Sequence, residues 1–121
     1  MQHAIVDQFM RAWCQRDVDA IMACFSDDAE YINIPIDPPN VGKPAIRAFI
    51  EGFISTIDEI EFVVHHQLCQ GHVVMNERTD RLKMQGRWVE LPVMGIFELR
   101  DDKIAKWRDY FDMGPFSAVA G

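Results

Sequence analysis

The sequence predicts an α+β domain in which three helices from the N-terminal half pack on one face of a curved, mainly antiparallel sheet. Two patterns support this class. Apolar residues recur at helical spacing in the first half of the chain, whereas from about residue 59 apolar and polar residues alternate with a period of two. Because a long antiparallel sheet twists, we expect it to curl with the helices into a cone with an apolar pocket. The length of 121 residues and the 49% hydrophobic content fit a single domain, residues 1–121.

Three helices are predicted from apolar positions spaced three or four residues apart. The first spans about residues 2–15. A short second helix follows, with Asp17 as its expected N-cap and an apolar stripe that runs to Phe25. The third begins around Pro44, because proline suits the first helical turn, and its apolar stripe runs to Ile57.

Five strands are predicted from the period of two. A short strand covers about residues 29–34, and the prolines between positions 35 and 39 make the next stretch a loop. Four longer strands, separated by hairpin-length breaks, follow the third helix at about residues 59–69, 72–85, 87–99 and 103–113. The predicted order is therefore helix, helix, strand, helix and a four-stranded meander.

The charge balance and the cysteines limit the possible partners and location. The chain has 12 Lys and Arg against 19 Asp and Glu, a net charge of −7, and no basic run. We therefore expect neither nucleic acid nor a membrane surface as a partner. The three cysteines form no C-x-x-C pair, and no signal peptide or apolar span is recognisable, so a cytoplasmic protein with reduced thiols is predicted.

Charged residues interrupt the inward-facing side of two predicted strands. Along residues 73–84 the odd positions are mostly polar, so the even positions, including Arg78 and Asp80, are predicted to face the interior. In the last strand Asp109 shares a face with aromatic residues, and the other face is predicted to carry Ile104, Lys106, Arg108, Tyr110 and Asp112. Tyr31 and Asn33 share one face of the short first strand, and hydrophobicity alone does not decide which face of that strand is inside.

These residues together are suited to proton transfer. A buried carboxylate without a partner is very costly, so Asp80 and Asp109 must be protonated or paired. Arg78 is the one cation on the inward faces, and its forked guanidinium can bridge both acids. One proton shared by two acids supplies an acid and a base at neutral pH, as general acid–base catalysis requires. The same cluster can also be a satisfied structural ion network, and the residues alone leave both interpretations open.

Other kinds of catalytic site have no support in the sequence. It contains no glycine-rich phosphate loop, no H-E-x-x-H and no G-x-S-x-G. His65 and His66 are neighbours in a predicted strand, so we expect them to face opposite sides rather than to share a zinc ion. Neither a metal centre nor a serine nucleophile is predicted.

Three segments resemble the limonene-1,2-epoxide hydrolases: Glu30-Tyr31-Ile32-Asn33, Glu77-Arg78-Thr79-Asp80 and Trp107-Arg108-Asp109-Tyr110-Phe111-Asp112. The resemblance covers nearly the whole chain, with the segments in the same order and at nearly the same spacing. It implies a nuclear-transport-factor-2-like or SnoaL-like fold. It also implies an epoxide hydrolase that adds water in one step to give a vicinal diol, without a covalent intermediate, a metal or an organic cofactor.

The resemblance assigns a role to each residue of the polar cluster. Asp109 would be the base that takes a proton from water, Asp80 the acid that protonates the epoxide oxygen, and Arg78 the link between them. Tyr31 and Asn33 would face inward and hold the attacking water together with Asp109.

The resemblance further implies an apolar substrate cavity and a homodimer formed through the sheet. The residues expected to contact substrate are Met10, Trp13, Phe53, Ile57, Leu82, Leu91, Val93 and Phe111. Such a lining favours a small or medium hydrophobic epoxide, cyclic or aryl-substituted. Two alternatives share the fold: an isomerase or cyclase of the ketosteroid-isomerase or SnoaL type, and a module that binds an apolar ligand without catalysis.

Overall fold

The computed structural model describes residues 2–36 and 38–116; Met1, Asp37 and residues 117–121 of the predicted domain lie outside this part. It contains the helices α1 (Gln2–Cys14), α2 (Val18–Ala23) and α3 (Lys43–Ile54). All three predicted helices are therefore present. No helix of the described part has the length and apolar character needed to span a membrane.

Local sequence signals explain where the helices begin and end. The Asp17 carboxylate accepts a hydrogen bond of 3.1 Å from the backbone N–H of Ala20, as expected of an N-cap. Gly42 precedes α3 with a φ of +84°, a conformation that favours glycine. The helix ends at Ile54 instead of extending to Ile57, which is nevertheless buried in the turn that follows.

The described strands are β1 (Phe25–Asn33), β2 (Asn40–Val41), β3 (Glu59–Gln70), β4 (Val73–Met84), β5 (Arg87–Arg100) and β6 (Lys103–Tyr110). The four-stranded meander is confirmed. Two predictions about strand ends and one about a loop were wrong. The first strand begins at Phe25, which had been placed on the second helix. A two-residue strand, β2, interrupts the predicted loop, and the last strand stops at Tyr110.

The six strands form one mixed, open sheet in the order β2-β1-β6-β5-β4-β3. β1 pairs with β6 in parallel, and the other neighbours are antiparallel. α1 packs mainly on β3, and α3 packs on β1, so the helices lie over the two sides of the same sheet face. The core between them contains Phe9, Trp13, Ile50, Phe97 and Trp107.

Two β-bulges change which side chains face the core. The bulge between Val64 and His66 places both histidines on the outer face: His65 Nε2 lies 2.8 Å from Thr79 Oγ1, and His66 contacts Glu77. The prediction that the two histidines face opposite sides was wrong for this reason. A second bulge between Glu98 and Leu99 turns Ile104 into the core, although alternation had grouped it with Lys106 and Arg108.

Candidate active site

A row of residues crosses the inner face of the sheet, one from each of five strands, and all of them except Gly95 have polar side chains. Consecutive Cα partners in this row are Asn33 on β1, Asp109 on β6, Gly95 on β5, Asn76 on β4 and Gln67 on β3. The parallel pairing of β1 with β6 brings Asn33 beside Asp109. The strand register therefore assembles a polar site from residues far apart in the sequence.

The guanidinium of Arg78 lies over this row and finds an acceptor for each of its five N–H groups. Nε and Nη2 donate to the two oxygens of Asp80 at 2.9 and 3.0 Å. Nη2 also donates to Asp109 Oδ2 at 2.7 Å, while Nη1 donates to Asp109 Oδ1 at 3.3 Å. The remaining N–H of Nη1 donates to Asn76 Oδ1 at 3.0 Å. The arginine thus bridges both carboxylates, as its inward position predicts.

This cluster is almost fully removed from solvent. Arg78 is 1% exposed, Asp80 5% and Asp109 4%. Burial acts to lower the pKa of Arg78, but the charges of Asp109 and Asp80 outweigh it and raise that pKa, so the arginine stays cationic. One cation faces two carboxylates, and the cluster is electrically neutral when the two acids share one proton.

Asp109 is the member of the cluster whose protonation is poised near neutral pH. Burial, with the charge of Asp80 adding to it, raises the pKa of Asp109 to about 6. Arg78 opposes this rise, as does the indole of Trp107, whose Nε1 donates to Asp109 Oδ1 at 2.7 Å. A carboxylate with such a pKa exchanges a proton readily at neutral pH, which suits a general base.

Tyr31 and Asn33 both face the interior, so the structure decides the question that alternation left open for their strand. The Tyr31 ring stacks on Trp107, with ring centroids 4.2 Å apart and planes 6° from parallel. Burial, assisted by the charge of Asp109, raises the pKa of Tyr31, so its hydroxyl stays protonated and able to donate. Beside Asp109, these two side chains offer donors and acceptors to a small polar molecule.

An apolar cavity of about 370 Å³ opens onto this cluster, and Tyr31, Asn33, Asp80 and Asp109 form the polar part of its wall. Arg78 lies behind the two carboxylates. Five of the predicted substrate contacts line the cavity: Trp13, Phe53, Leu82, Leu91 and Phe111. A ligand in the cavity would therefore meet apolar walls except where these four polar side chains face it.

The other three predicted contacts are not among the lining residues. Met10 and Ile57 are packed into the core cluster between helices and sheet. Val93 is buried on β5, where it is the Cα partner of Arg78. Apolar character alone does not distinguish a residue packed in the core from one that lines the cavity.

Sequence reasoning missed several residues of the site. Gly95 and Asn76 contact the cluster. The only sequence signal for them was that each occupies an inward-facing position in the alternation of its strand. The cavity is also lined by Ile36, Phe49, Phe62, Met84, Met113 and Phe116. Phe62 was detectable in principle, because it is the Cα partner of Asp80, whereas Phe116 follows the last strand with no periodic pattern.

The site can therefore deliver a proton and accept one within the same dry cavity. Two acids coupled through one arginine provide the proton donor and the base, and the apolar walls strengthen both electrostatic interactions. No group of three or more His, Cys, Asp or Glu side chains within residues 2–36 and 38–116 is placed to hold a metal ion.

Comparison with known proteins gives one family. A family model described as "Limonene-1,2-epoxide hydrolase catalytic domain" matches residues 2–118. Epoxide hydrolase EphG of Mycobacterium tuberculosis is 31% identical over 110 residues, which cover 89% of this chain and 71% of that protein.

Solved structures agree on the fold. The structure of a Mycobacterium tuberculosis LEH-like epoxide hydrolase superposes with a TM-score of 0.82 at 29% identity, over 94% of this chain and 84% of that one. A SnoaL-like polyketide cyclase from Shewanella denitrificans, itself named only by similarity, superposes with a TM-score of 0.87 at 15% identity, over 97% and 94% of the two chains. The second likeness concerns the fold alone.

Proposed function

The chain belongs to the limonene-1,2-epoxide hydrolase family, and we propose that it adds water to a hydrophobic epoxide to give a vicinal diol. The observation that carries this proposal is the pair of buried carboxylates, Asp80 and Asp109, held by Arg78 at the wall of an apolar cavity. Epoxide opening needs a proton for the departing oxygen and a base for water in one step. The cluster has one group for each task.

The proposed reaction is a single concerted displacement. A water held by Tyr31, Asn33 and Asp109 attacks one epoxide carbon while Asp109 accepts its proton. The C–O bond to that carbon breaks as Asp80 gives its proton to the epoxide oxygen, so two hydroxyl groups result. The cluster then carries its proton on Asp109 instead of Asp80, and exchange with solvent or along the arginine bridge restores the starting state.

The cavity supports the proposed substrate class. Its volume of about 370 Å³ and its aromatic and aliphatic walls suit a small or medium hydrophobic epoxide, cyclic or aryl-substituted. Among the described residues, the polar side chains that line the cavity are grouped at Tyr31, Asn33, Asp80 and Asp109, so the epoxide oxygen is expected to point towards them and the hydrocarbon part away.

Hydrolysis of racemic epoxides in oxygen-18 water, with enzyme in excess and a single turnover, tests this function. Styrene oxide and cyclohexene oxide are suitable substrates. We expect label in the diol during the first turnover, and almost complete loss of activity in Asp80→Asn and Asp109→Asn. Unlabelled diol would indicate a carboxylate nucleophile, and full activity in both variants would refute the proposed mechanism.

The isomerase alternative receives no specific support from the site. Moving a proton next to a carbonyl requires one base and one oxyanion donor. An arginine shared between two carboxylates is not needed for that reaction. A Δ5-ketosteroid included in the same assay should remain unchanged, and its isomerisation without diol formation would favour the alternative.

We also propose that the protein forms a homodimer through the outer face of the sheet. That face carries exposed apolar side chains on adjacent strands: Leu68, Met75, Met94 and Tyr110, here called the outer apolar patch. The second face of an antiparallel sheet is commonly solvated and polar, so adjoining exposed apolar side chains on that face indicate an interaction surface.

The cysteines Cys14, Cys24 and Cys69 are free thiols, in keeping with the cytoplasmic location, which stays a prediction.

A further inference from the structure

Asn76 contacts the catalytic cluster from the side opposite Asp80. It lies on β4 two residues before Arg78, faces the interior with it and is 1% exposed. Its Oδ1 accepts a hydrogen bond from Arg78 Nη1 at 3.0 Å, whereas the bond from the same nitrogen to Asp109 Oδ1 measures 3.3 Å. Asn76 is therefore the nearer of the two acceptors for Nη1.

The orientation of the Asn76 amide is fixed by a chain of hydrogen bonds that begins on α1. The Asp7 carboxylate can only accept, and it accepts from Gln67 Nε2 at 3.0 Å. Gln67 Oε1 then accepts from Asn76 Nδ2 at 3.1 Å. This sequence of donors leaves the oxygen of Asn76 directed at Arg78. A flipped amide would place the N–H groups of Asn76 against those of Arg78.

Gly95 provides the space in which this contact forms. A Cβ atom on Gly95 would lie 2.5 Å from Arg78 Nη1, 2.7 Å from Asp109 Oδ1 and 3.1 Å from Asn76 Oδ1. Distances below 3.0 Å are not tolerated by real Cβ atoms. The absence of a side chain therefore lets the guanidinium rest on the sheet between Asp109 and Asn76.

We propose that Asn76 is a positioning residue for epoxide opening, because its oxygen holds the Arg78 guanidinium where Nη2 is shared between Asp80 and Asp109. The role in epoxide opening rests on the proposed function, whereas the hydrogen bond between Asn76 and Arg78 is a feature of the structure itself. Without this acceptor, Nη1 turns towards Asp109, and Nη1 and Nη2 then donate two short hydrogen bonds to that carboxylate. This tighter bidentate pair stabilises ionised Asp109, so Asp109 becomes a weaker base, and the hydrogen bonds from Arg78 to Asp80 weaken.

Two variants of almost equal shape separate this role from simple packing. Asn76→Leu removes the acceptor, whereas Asn76→Asp keeps an acceptor but adds a negative charge. Val74→Ala is the matched control, since Val74 is fully buried on the same face of β4 and belongs to the apolar core. Each protein is compared by thermal unfolding, by the pH dependence of kcat and KM, and by carbon-13 NMR titration of the Asp side-chain carboxyl groups.

We expect the two variants to shift the titration of Asp109 in opposite directions. Asn76→Leu should lower its titration midpoint, and Asn76→Asp should raise it, each by about one pH unit. In Asn76→Leu, kcat should fall between about 10-fold and 100-fold with a small change in KM, because the reacting groups are misplaced. Val74→Ala should lower the melting temperature without moving the titration.

The NMR titration needs no substrate, so it separates the two proposals. If the wild-type protein makes no diol but the midpoints shift oppositely, the proposed function fails and the positioning role of Asn76 on Arg78 stands. If Asn76→Leu behaves like Val74→Ala, with lower stability and an unchanged Asp109 midpoint, the positioning role is overturned whatever the activity.

Discussion

The chemistry of Asp109 is set by neighbours that act in opposite directions. Burial and the charge of Asp80 favour its protonated form, while Arg78 and the Trp107 indole favour its ionised form. The result is a pKa of about 6, between that of a free aspartate and that of an isolated buried acid. Residues on two strands, β4 and β6, therefore determine the strength of this base.

The pH dependence of turnover should reveal this base. Because the pKa of Asp109 is raised to about 6, its ionised form is lost as the pH falls through that value. We therefore expect kcat/KM to rise with pH through about 6, and then to level off or fall as the shared proton of the pair is lost. A stopped assay with a neutral epoxide from pH 4 to 10 measures this, with circular dichroism to verify folding. A rate that rises steadily into strong alkali would contradict a shared proton.

Two buried tryptophans provide a matched comparison. Trp107 donates its indole N–H to Asp109, whereas Nε1 of Trp13 has no hydrogen-bond partner in the described part of the chain. Trp107→Phe should raise the pKa of Asp109, move the acid limb of the pH profile to higher pH and reduce kcat about 10-fold. Trp13→Phe removes the same atoms from a wall of the cavity. Trp13→Phe should change KM and leave the acid limb of the pH profile in place. Equal shifts of the acid limb in both variants would show that the Trp107 hydrogen bond does not set the pKa of Asp109.

At the scale of the elements, alternation within a strand predicted much of the site. The polar odd positions of β4 placed Arg78 and Asp80 inside, because side chains of a strand alternate strictly between its faces. The same rule failed for His65 and Ile104, where bulges insert a residue and reverse the alternation. A bulge depends on how two strands pair, so one strand's own sequence does not reveal it.

Pairing between distant strands was beyond the reach of local patterns. Asn33 reaches Asp109 only because β1 lies parallel to β6, although most of the chain separates them. For Tyr31 and Asn33 the inward face came from the resemblance, since hydrophobicity alone did not decide which face of their strand is buried. The contact of Asn76 with Arg78 and the need for a glycine at position 95 depend on atomic distances across strands, which periodicity does not contain.

Gly95 on β5 offers a test of the cross-strand row. In Gly95→Ala, the new methyl group must displace the guanidinium of Arg78 or the carboxylate of Asp109. We expect a loss of stability of about 1–3 kcal/mol and a loss of kcat of at least about 10-fold. Gly52→Ala is the control, because that helical position has open space around it and alanine should stabilise α3 by about 0.5–1 kcal/mol. Unchanged kcat in Gly95→Ala would show that the cluster does not need this close approach.

At the scale of the whole molecule, the two faces of the sheet differ in what covers them. The inner face is buried under the helices, and the outer face is divided into two regions. On one side Arg81 bridges Glu61 and Glu90, and Lys83 pairs with Glu59, so charged side chains satisfy one another across three strands. On the other side lies the outer apolar patch, which no element of the described chain covers.

This division predicts which surface holds two protomers together. Met94 is 42% exposed within the outer apolar patch, so Met94→Glu would bury a charge in the proposed interface and should convert the dimer to a monomer. Val41→Glu is the control: Val41 is 62% exposed on the edge strand β2, away from the patch. Light scattering after size-exclusion chromatography measures both masses. A dimeric Met94→Glu, or a monomeric wild type at micromolar concentration, would exclude assembly through this face. Because the patch and the cavity lie on opposite faces of the same strands, a monomeric variant that keeps full activity would show that each protomer carries a complete site.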